Sequence, residues 1–336
     1  MTLPALQNTE EVTRDELRRD DLIARGWAAL PAAYRMPAIP PSLEEARAYC
    51  KRLTESHYEN FHVASWFLPK RLRPHFQSIY AYCRISDDLG DEVSDREQSL
   101  ALLDLWGQEL DACYRGVTGH PVFVALAETI AACEIPKEPF ADLLTAFRQD
   151  QAVTRFESMG EVLNYCKNSA NPVGHLVLYA SGYREAEMFR LSDFTCSALQ
   201  LANFWQDVRM DYAKGRVYIP QEDLRGFGVS EEVIASGRMT PEFRALMQYE
   251  VEETRKMFAA GAALIAMVDR ELAVDLDLFT RGGLEILNAI ESQDYDVLKA
   301  RPAISKWRKV MLLAGALNDK FIFGRGGRRS GQKVAA

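Results

Sequence analysis

Four carboxylates crowd into six positions in DDLGDE, residues 87–92. Asp is a mediocre helix former, Gly90 is a poor one, and like charges four apart on a helix repel. Such a cluster costs stability unless something is gained from it. The same four-residue step recurs at Asp207 and Asp211, in ANFWQDVRMDY. Residues at i, i+3/i+4 and i+7 share a helical face. In IYAYCRISDDLGDEV (79–93) that rule aligns Ile79, Tyr82, Cys83, Ser86 and Gly90 as a packing stripe. Tyr80, Arg84, Asp87 and Asp91 form an adjacent polar stripe, with Asp88 and Glu92 beside it. Downstream, Gln200, Asn203, Asp207 and Asp211 align the same way, flanked by Leu199, Ala202, Phe204 and Trp205.

An acidic stripe is often only a solvated helix face. Here the aspartates sit among aromatic and small residues rather than alternating with lysines. If the two segments face each other across a bundle, they repel unless a cation lies between them. Oxygen-only donors suit a hard cation, and Mg²⁺ takes one or two carboxylates together with phosphate oxygens and water. No His/Cys set has zinc-ligand spacing. The expected site is a Mg²⁺–diphosphate clamp. Arg84 on the first segment, and Lys214, Arg216 and Tyr218 in KGRVYIP after the second, supply groups for a diphosphate. Guanidinium grips phosphate oxygens bidentately. The competing role for Arg84 is to neutralise Asp87 or Asp88 on its own helix.

The elements that must hold these groups are helical. Helix-length periodic segments run from about residue 42 to 320, broken at Pro69 and Pro74, Gly116–Pro121, Pro136–Pro139, Gly182, Gly215–Pro220, Gly226–Gly228, Pro241 and Pro302. Ser42 opens a Ser-x-x-Glu capping box with Glu45, and Thr240-Pro241 fits an N-cap followed by Pro at the first helical position. No alternating β-branched run and no Asn-Gly turn argues for strands. The expected fold is one all-α domain over 42–322. Residues 1–41 read as a polar, Pro-rich leader or linker with one short helix near 12–30, and 323–336 as a basic, Gly-rich disordered tail or a weak lipid-headgroup contact.

The 336 residues are 48% hydrophobic and 26% charged, with a formal charge of −8. That charge argues against general nucleic-acid binding, which needs a basic surface. Six scattered cysteines without a C-x-x-C pair suggest reduced thiols and a cytoplasmic setting. No secretory signal is visible, and VMLLAGAL (310–317) is far short of the ~20 residues that cross a bilayer. Any membrane contact is expected to be peripheral, on the inner face of the cytoplasmic membrane. Oligomeric state stays open.

YAYCRISDDLGDE and NFWQDVRMDYAKGRVYIP resemble the two Asp-rich motifs of the squalene/phytoene synthase family, and YCKNSANPVGHLVL (165–178) resembles its tail-pocket helix. The resemblance spans roughly 43–320. It implies a class I isoprenoid synthase with the terpenoid-synthase helical bundle around a central cavity. It also implies Mg²⁺ held by Asp87, Asp91, Asp207 and Asp211, with Asn203 alongside, and Tyr80, Arg84 and Arg216 near the diphosphate. Tyr165, Ala170, Val173 and Gly174 would line or shape the isoprenoid channel.

One stretch departs from the condensing members, which commonly read His-Ser-Lys-Ser-Phe. Here it is His57-Tyr58-Glu59-Asn60-Phe61, without the lysine. With SANPVG, it is most similar to the hydroxysqualene-forming branch of the bacterial hopanoid pathway. That branch ionises presqualene diphosphate and captures the rearranged cation with water, as a carbon–oxygen lyase needing no nicotinamide. His57, Asn60 and Phe61 would then contact substrate, and Asn60, Tyr58 or Asn171 would position the water. A lone His57 near a helix start also has an ordinary structural role. Condensation of two prenyl diphosphates, and noncatalytic isoprenoid or lipid binding, remain open alternatives.

Overall fold

The computed structural model describes residues 5–56 and 70–304, with side chains from residue 16 onward. His57, Asn60, Phe61 and the C-terminal tail lie outside the described residues. Every regular element described is helical: α1 (Ala5–Ala29), α2 (Leu43–Ser56), α3 (Arg73–Asp91), α4 (Arg96–Tyr114), α5 (Pro121–Cys133), α6 (Glu138–Asp150), α7 (Met159–Ser169), α8 (Asn171–Ala180), α9 (Ala186–Ala213), α10 (Gln221–Gly226), α11 (Glu231–Ser236), α12 (Pro241–Gly261) and α13 (Arg270–Ser292). One isolated bridge, Arg155 to Val217, is the only β-type pairing among the described residues.

Local chemistry accounts for the ends of these helices. Ser42 and Glu45 close the expected capping box, with Ser42 N donating to Glu45 Oε2 at 2.8 Å and Glu45 N to Ser42 Oγ at 3.4 Å. Thr240 Oγ1 accepts from Phe243 N at 3.1 Å, with Pro241 as the first helical residue. At the end of α9, Gly215 takes φ of +83°, and Arg216 N donates to Asp211 O at 2.8 Å. This Schellman-type stop turns the chain back toward the last turn of the helix.

Two main apolar clusters hold the bundle. In the first, Tyr82 of α3 lies edge-on to Phe140 at 5.0 Å and donates its hydroxyl to Phe140 O at 2.8 Å, with Trp106 and Phe123 around it. In the second, fully buried Trp205 of α9 donates Nε1 to Thr254 Oγ1 on α12 at 2.8 Å. Trp205 therefore faces the core.

The N-terminal region differs from the expected leader. α1 runs 25 residues and packs on α4, with Arg18 Nη2 2.8 Å from Glu97 Oε2. Ile23 and Trp27 pack on the first cluster, and Leu30 and Tyr34 belong to it. The i, i+4, i+7 spacing of Ile23, Trp27 and Leu30 gives α1 an apolar stripe, and that stripe makes the segment part of the body.

α9 and α12 approach so closely at Gly261 that an added Cβ would lie 2.2 Å from Thr195 Oγ1 and 3.0 Å from Leu191 O. A backbone oxygen cannot yield as a flexible side chain does, so Gly261→Ala should cost about 1–3 kcal/mol through overpacking. A urea midpoint unchanged from the parent would contradict this contact.

Candidate active site

The three aspartates of DDLGDE divide by direction in the last turns of α3. Asp88 points inward and is buried. It accepts from Arg84 Nε at 3.0 Å, from Arg84 Nη2, and from Tyr34 Oη at 2.7 Å. Arg84 thus pairs with Asp88 on its own helix, while its Nη1 reaches to 3.5 Å from Asp87 Oδ2. Asp87 and Asp91 lie on the outer stripe, with half-buried Tyr80 behind them.

The second segment meets this stripe. Arg216 leaves the Schellman stop and places Nη2 3.4 Å and Nη1 3.5 Å from Asp91 Oδ1. Asp211, in the last turn of α9, is pushed up to about 6 by burial, by Asp207 and by Asp91 across the gap, partly relieved by Lys214 and Arg216. Burial, then Asp91, likewise pushes Asp87 up to about 6 against the pull of Arg84. A fifth carboxyl arrives from the end of α6. Asp150 accepts from Tyr165 Oη at 3.0 Å and is raised to about 6 by burial, with Asp91 and Asp87 adding to the shift.

Asp207 has a cation on it. Arg301 donates Nε to Asp207 Oδ1 and Nη2 to Asp207 Oδ2 at 2.9 Å, and Nη2 also reaches Gln206 Oε1 at 3.0 Å. Gln206 Nε2 donates to Pro302 O at 2.5 Å, and Arg209 Nη1 to Leu298 O at 2.6 Å. The 298–302 segment is thereby strapped across α9. Asn203 is exposed one turn before Asp207. Among the described residues, no three His, Cys, Asp or Glu side chains converge closely enough to hold a metal ion. In donor type, the pairs Asp87/Asp91 and Asp207/Asp211 fit Mg²⁺, which uses one or two carboxylates per ion in phosphate sites.

Beside the carboxylates sits an aromatic group. Phe204 and Tyr218 stack at 3.7 Å and 4°, with Tyr165 6.2 Å and 5.9 Å from them. Buried Ala170 marks the break between α7 and α8. Three of the residues expected at the channel or substrate lie on α8. Asn171 is buried and accepts from Ser197 Oγ at 2.9 Å, so it ties α8 to α9. A Cβ on Gly174 would lie 2.2 Å from Ser192 Oγ and 2.6 Å from Cys196 Sγ, so this glycine sets the α8–α9 approach. Val173, between Asn171 and Gly174 in sequence, is 41% exposed. Cavities of about 520 Å³ and 300 Å³ are lined by other residues: the first lies between α1, α4 and α6, and the second is at the ends of α3, α5 and α8.

Tyr34, Asp150, Gln206 and Arg301 are absent from the sequence-based set. Tyr34, Asp150 and Arg301 reach the site from distant segments and carry no local spacing pattern, while Gln206 sits next to Asp207 on α9 and gives no chemical signal of its own. The raised carboxyls bind protons more tightly folded than unfolded, where Asp titrates near 3.9. Their contribution to stability is therefore present below about 4 and lost as pH rises through about 6. In EDTA, Asp211→Asn should lessen the fall in melting temperature between pH 4.5 and 7.5. An equal fall in parent and variant would show that Asp211 does not bind its proton more tightly in the folded protein.

The squalene/phytoene synthase family model matches residues 54–308. A hydroxysqualene synthase from Rhodopseudomonas palustris is 31% identical over 80% of this chain and 92% of its own length. A 15-cis-phytoene synthase from Synechococcus elongatus is 28% identical over 84% of this chain and 97% of its own. Among solved structures, squalene synthase HpnC from Alicyclobacillus acidocaldarius superposes with a TM-score of 0.73 at 41% identity, covering 80% of this chain and 98% of that one. A dehydrosqualene synthase gives 0.75 at 26% identity, covering 82% and 96%. With two acidic helices facing each other in an all-helical bundle and a family match over most of its length, the chain belongs to the squalene/phytoene synthase family of isoprenoid synthases.

Proposed function

We propose that the chain ionises presqualene diphosphate with Mg²⁺ and lets water capture the rearranged cation, giving hydroxysqualene and diphosphate. The observation that carries the diphosphate chemistry is Arg216 lying 3.4 Å from Asp91. It puts a guanidinium between carboxylates of two helices, where an anion and divalent ions can replace the existing pairs. Asp87 and Asp91 on α3, and Asp207 and Asp211 on α9 with Asn203 alongside, are the residues to hold Mg²⁺. Bound there with the diphosphate, Mg²⁺ supplies the positive charge that eases C–O cleavage.

The chain's own groups do the rest. Arg216 and Arg301, now held by Asp91 and Asp207, turn to phosphoryl oxygens as charge develops on the leaving group. Phe204 and Tyr218 use their faces on each other, so they wall the site. Tyr80, half-buried on the acidic stripe, is the described aromatic best placed to face a cation. The apolar clusters behind α3 and α9 keep bulk water from the reacting end.

Water capture rather than condensation is supported by His57-Tyr58-Glu59-Asn60-Phe61, which lacks the lysine of condensing members, and by the hydroxysqualene synthase relative. The phytoene synthase relatives favour the second reading, condensation of two prenyl diphosphates. Presqualene diphosphate with Mg²⁺ and no nicotinamide should yield hydroxysqualene, and Asp87→Asn or Asp207→Asn should lower turnover at least a hundredfold without unfolding. Presqualene diphosphate made from farnesyl diphosphate would decide for condensation, and full activity in both variants would remove the clamp.

A C30 substrate and product are so apolar that the chain is placed peripherally on the inner face of the cytoplasmic membrane. No helix among the described residues is long and apolar enough to cross one. Co-sedimentation with anionic liposomes at low salt should pull the protein down; protein left in the supernatant would count against this placement.

A further inference from the structure

The family match begins at residue 54, yet a side chain twenty residues before it touches the acidic helix. Tyr34 is 2% exposed and donates its hydroxyl to Asp88 Oδ2 at 2.7 Å. Its backbone is pinned from several sides. Tyr34 N donates to Pro31 O at 2.9 Å, and Tyr49 Oη donates to the neighbouring Ala33 O at 2.9 Å. His120 Nδ1 accepts from Val122 N at 3.2 Å, so its proton sits on Nε2, which donates to Tyr34 O at 3.0 Å. α1 anchors the whole segment on α4.

We propose that Tyr34, supplied by the N-terminal segment, is a positioning residue for Arg84. The hydroxyl fixes the plane of the Asp88 carboxylate, and that carboxylate grips Arg84 through both Nε and Nη2. Held edge-on in this way, the guanidinium presents Nη1 toward Asp87, on the stripe where a diphosphate would bind. A bidentate pair defines an orientation as well as a charge. Without the hydroxyl, Asp88 loses the one hydrogen bond to it that comes from outside its own helix, and the carboxylate–guanidinium pair is held less firmly against the stripe. This inference rests on the diphosphate site proposed above.

The test is calorimetric titration of inorganic diphosphate in the presence of Mg²⁺, on the full-length protein. Tyr34→Phe keeps the ring and removes only the hydroxyl. It should weaken diphosphate binding about tenfold, the order expected from losing one hydrogen bond to a charged group. In an Arg84→Gln protein the same substitution should change nothing further, because Tyr34 acts through Arg84. A merely structural tyrosine would cause equal losses in both backgrounds, and that result overturns the proposal. So does unchanged affinity in Tyr34→Phe while the parent binds. If the parent itself binds no diphosphate with Mg²⁺, the diphosphate reading fails and this inference goes with it.

Discussion

Repulsion between carboxylates at the facing ends of α3 and α9 is the constraint on which the rest depends. Burial raises the proton affinity of Asp87, Asp150 and Asp211, and the nearby Asp91 carboxylate adds to the shift at each of them. Guanidinium groups hold the arrangement together: Arg84 on Asp88, Arg216 on Asp91 and Arg301 on Asp207. Each comes from a different stretch of chain, so charge balance at the site requires the bundle to be closed around it. The ion pairs also explain how unfavourable acidic helices persist. Their charge is compensated by these arginines.

The two cores serve that closure from behind. Tyr82, Trp106, Phe123 and Phe140 fix α3 against α4, α5 and α6. Trp205, hydrogen-bonded to Thr254, fixes α9 against α12. Gly261 and Gly174 let α9 sit tightly against α12 and α8. Interiors packed to this density transmit position faithfully, so an aspartate on either helix has little room to retreat from its opposite number. Gln151 adds a direct tie, donating Nε2 to Gly90 O at 2.8 Å and holding the end of α6 against the acidic turn.

The N-terminal segment shows how a compositional reading can mislead. PAAYRMPAIPP looks like a linker because proline cannot continue a helix. Its breaks instead end α1 and turn the chain so that Tyr34 enters the core. A tyrosine amid prolines has no periodic partners, and only the burial of its ring reveals its place.

The chain by itself determined the helices, their caps and the faces on which the acids lie. These follow from the 3.6-residue period and from neighbours a few positions apart, as at Ser42 with Glu45 or Asp207 with Asp211. Tertiary structure alone decided that Asp88 turns inward to a tyrosine 54 residues away. It also decided that Arg216 reaches Asp91 across 125 residues, and that Arg301 covers Asp207 across 94. Contacts at such separations leave no local spacing in the sequence, because they are set by how packed helices bring distant segments to one point.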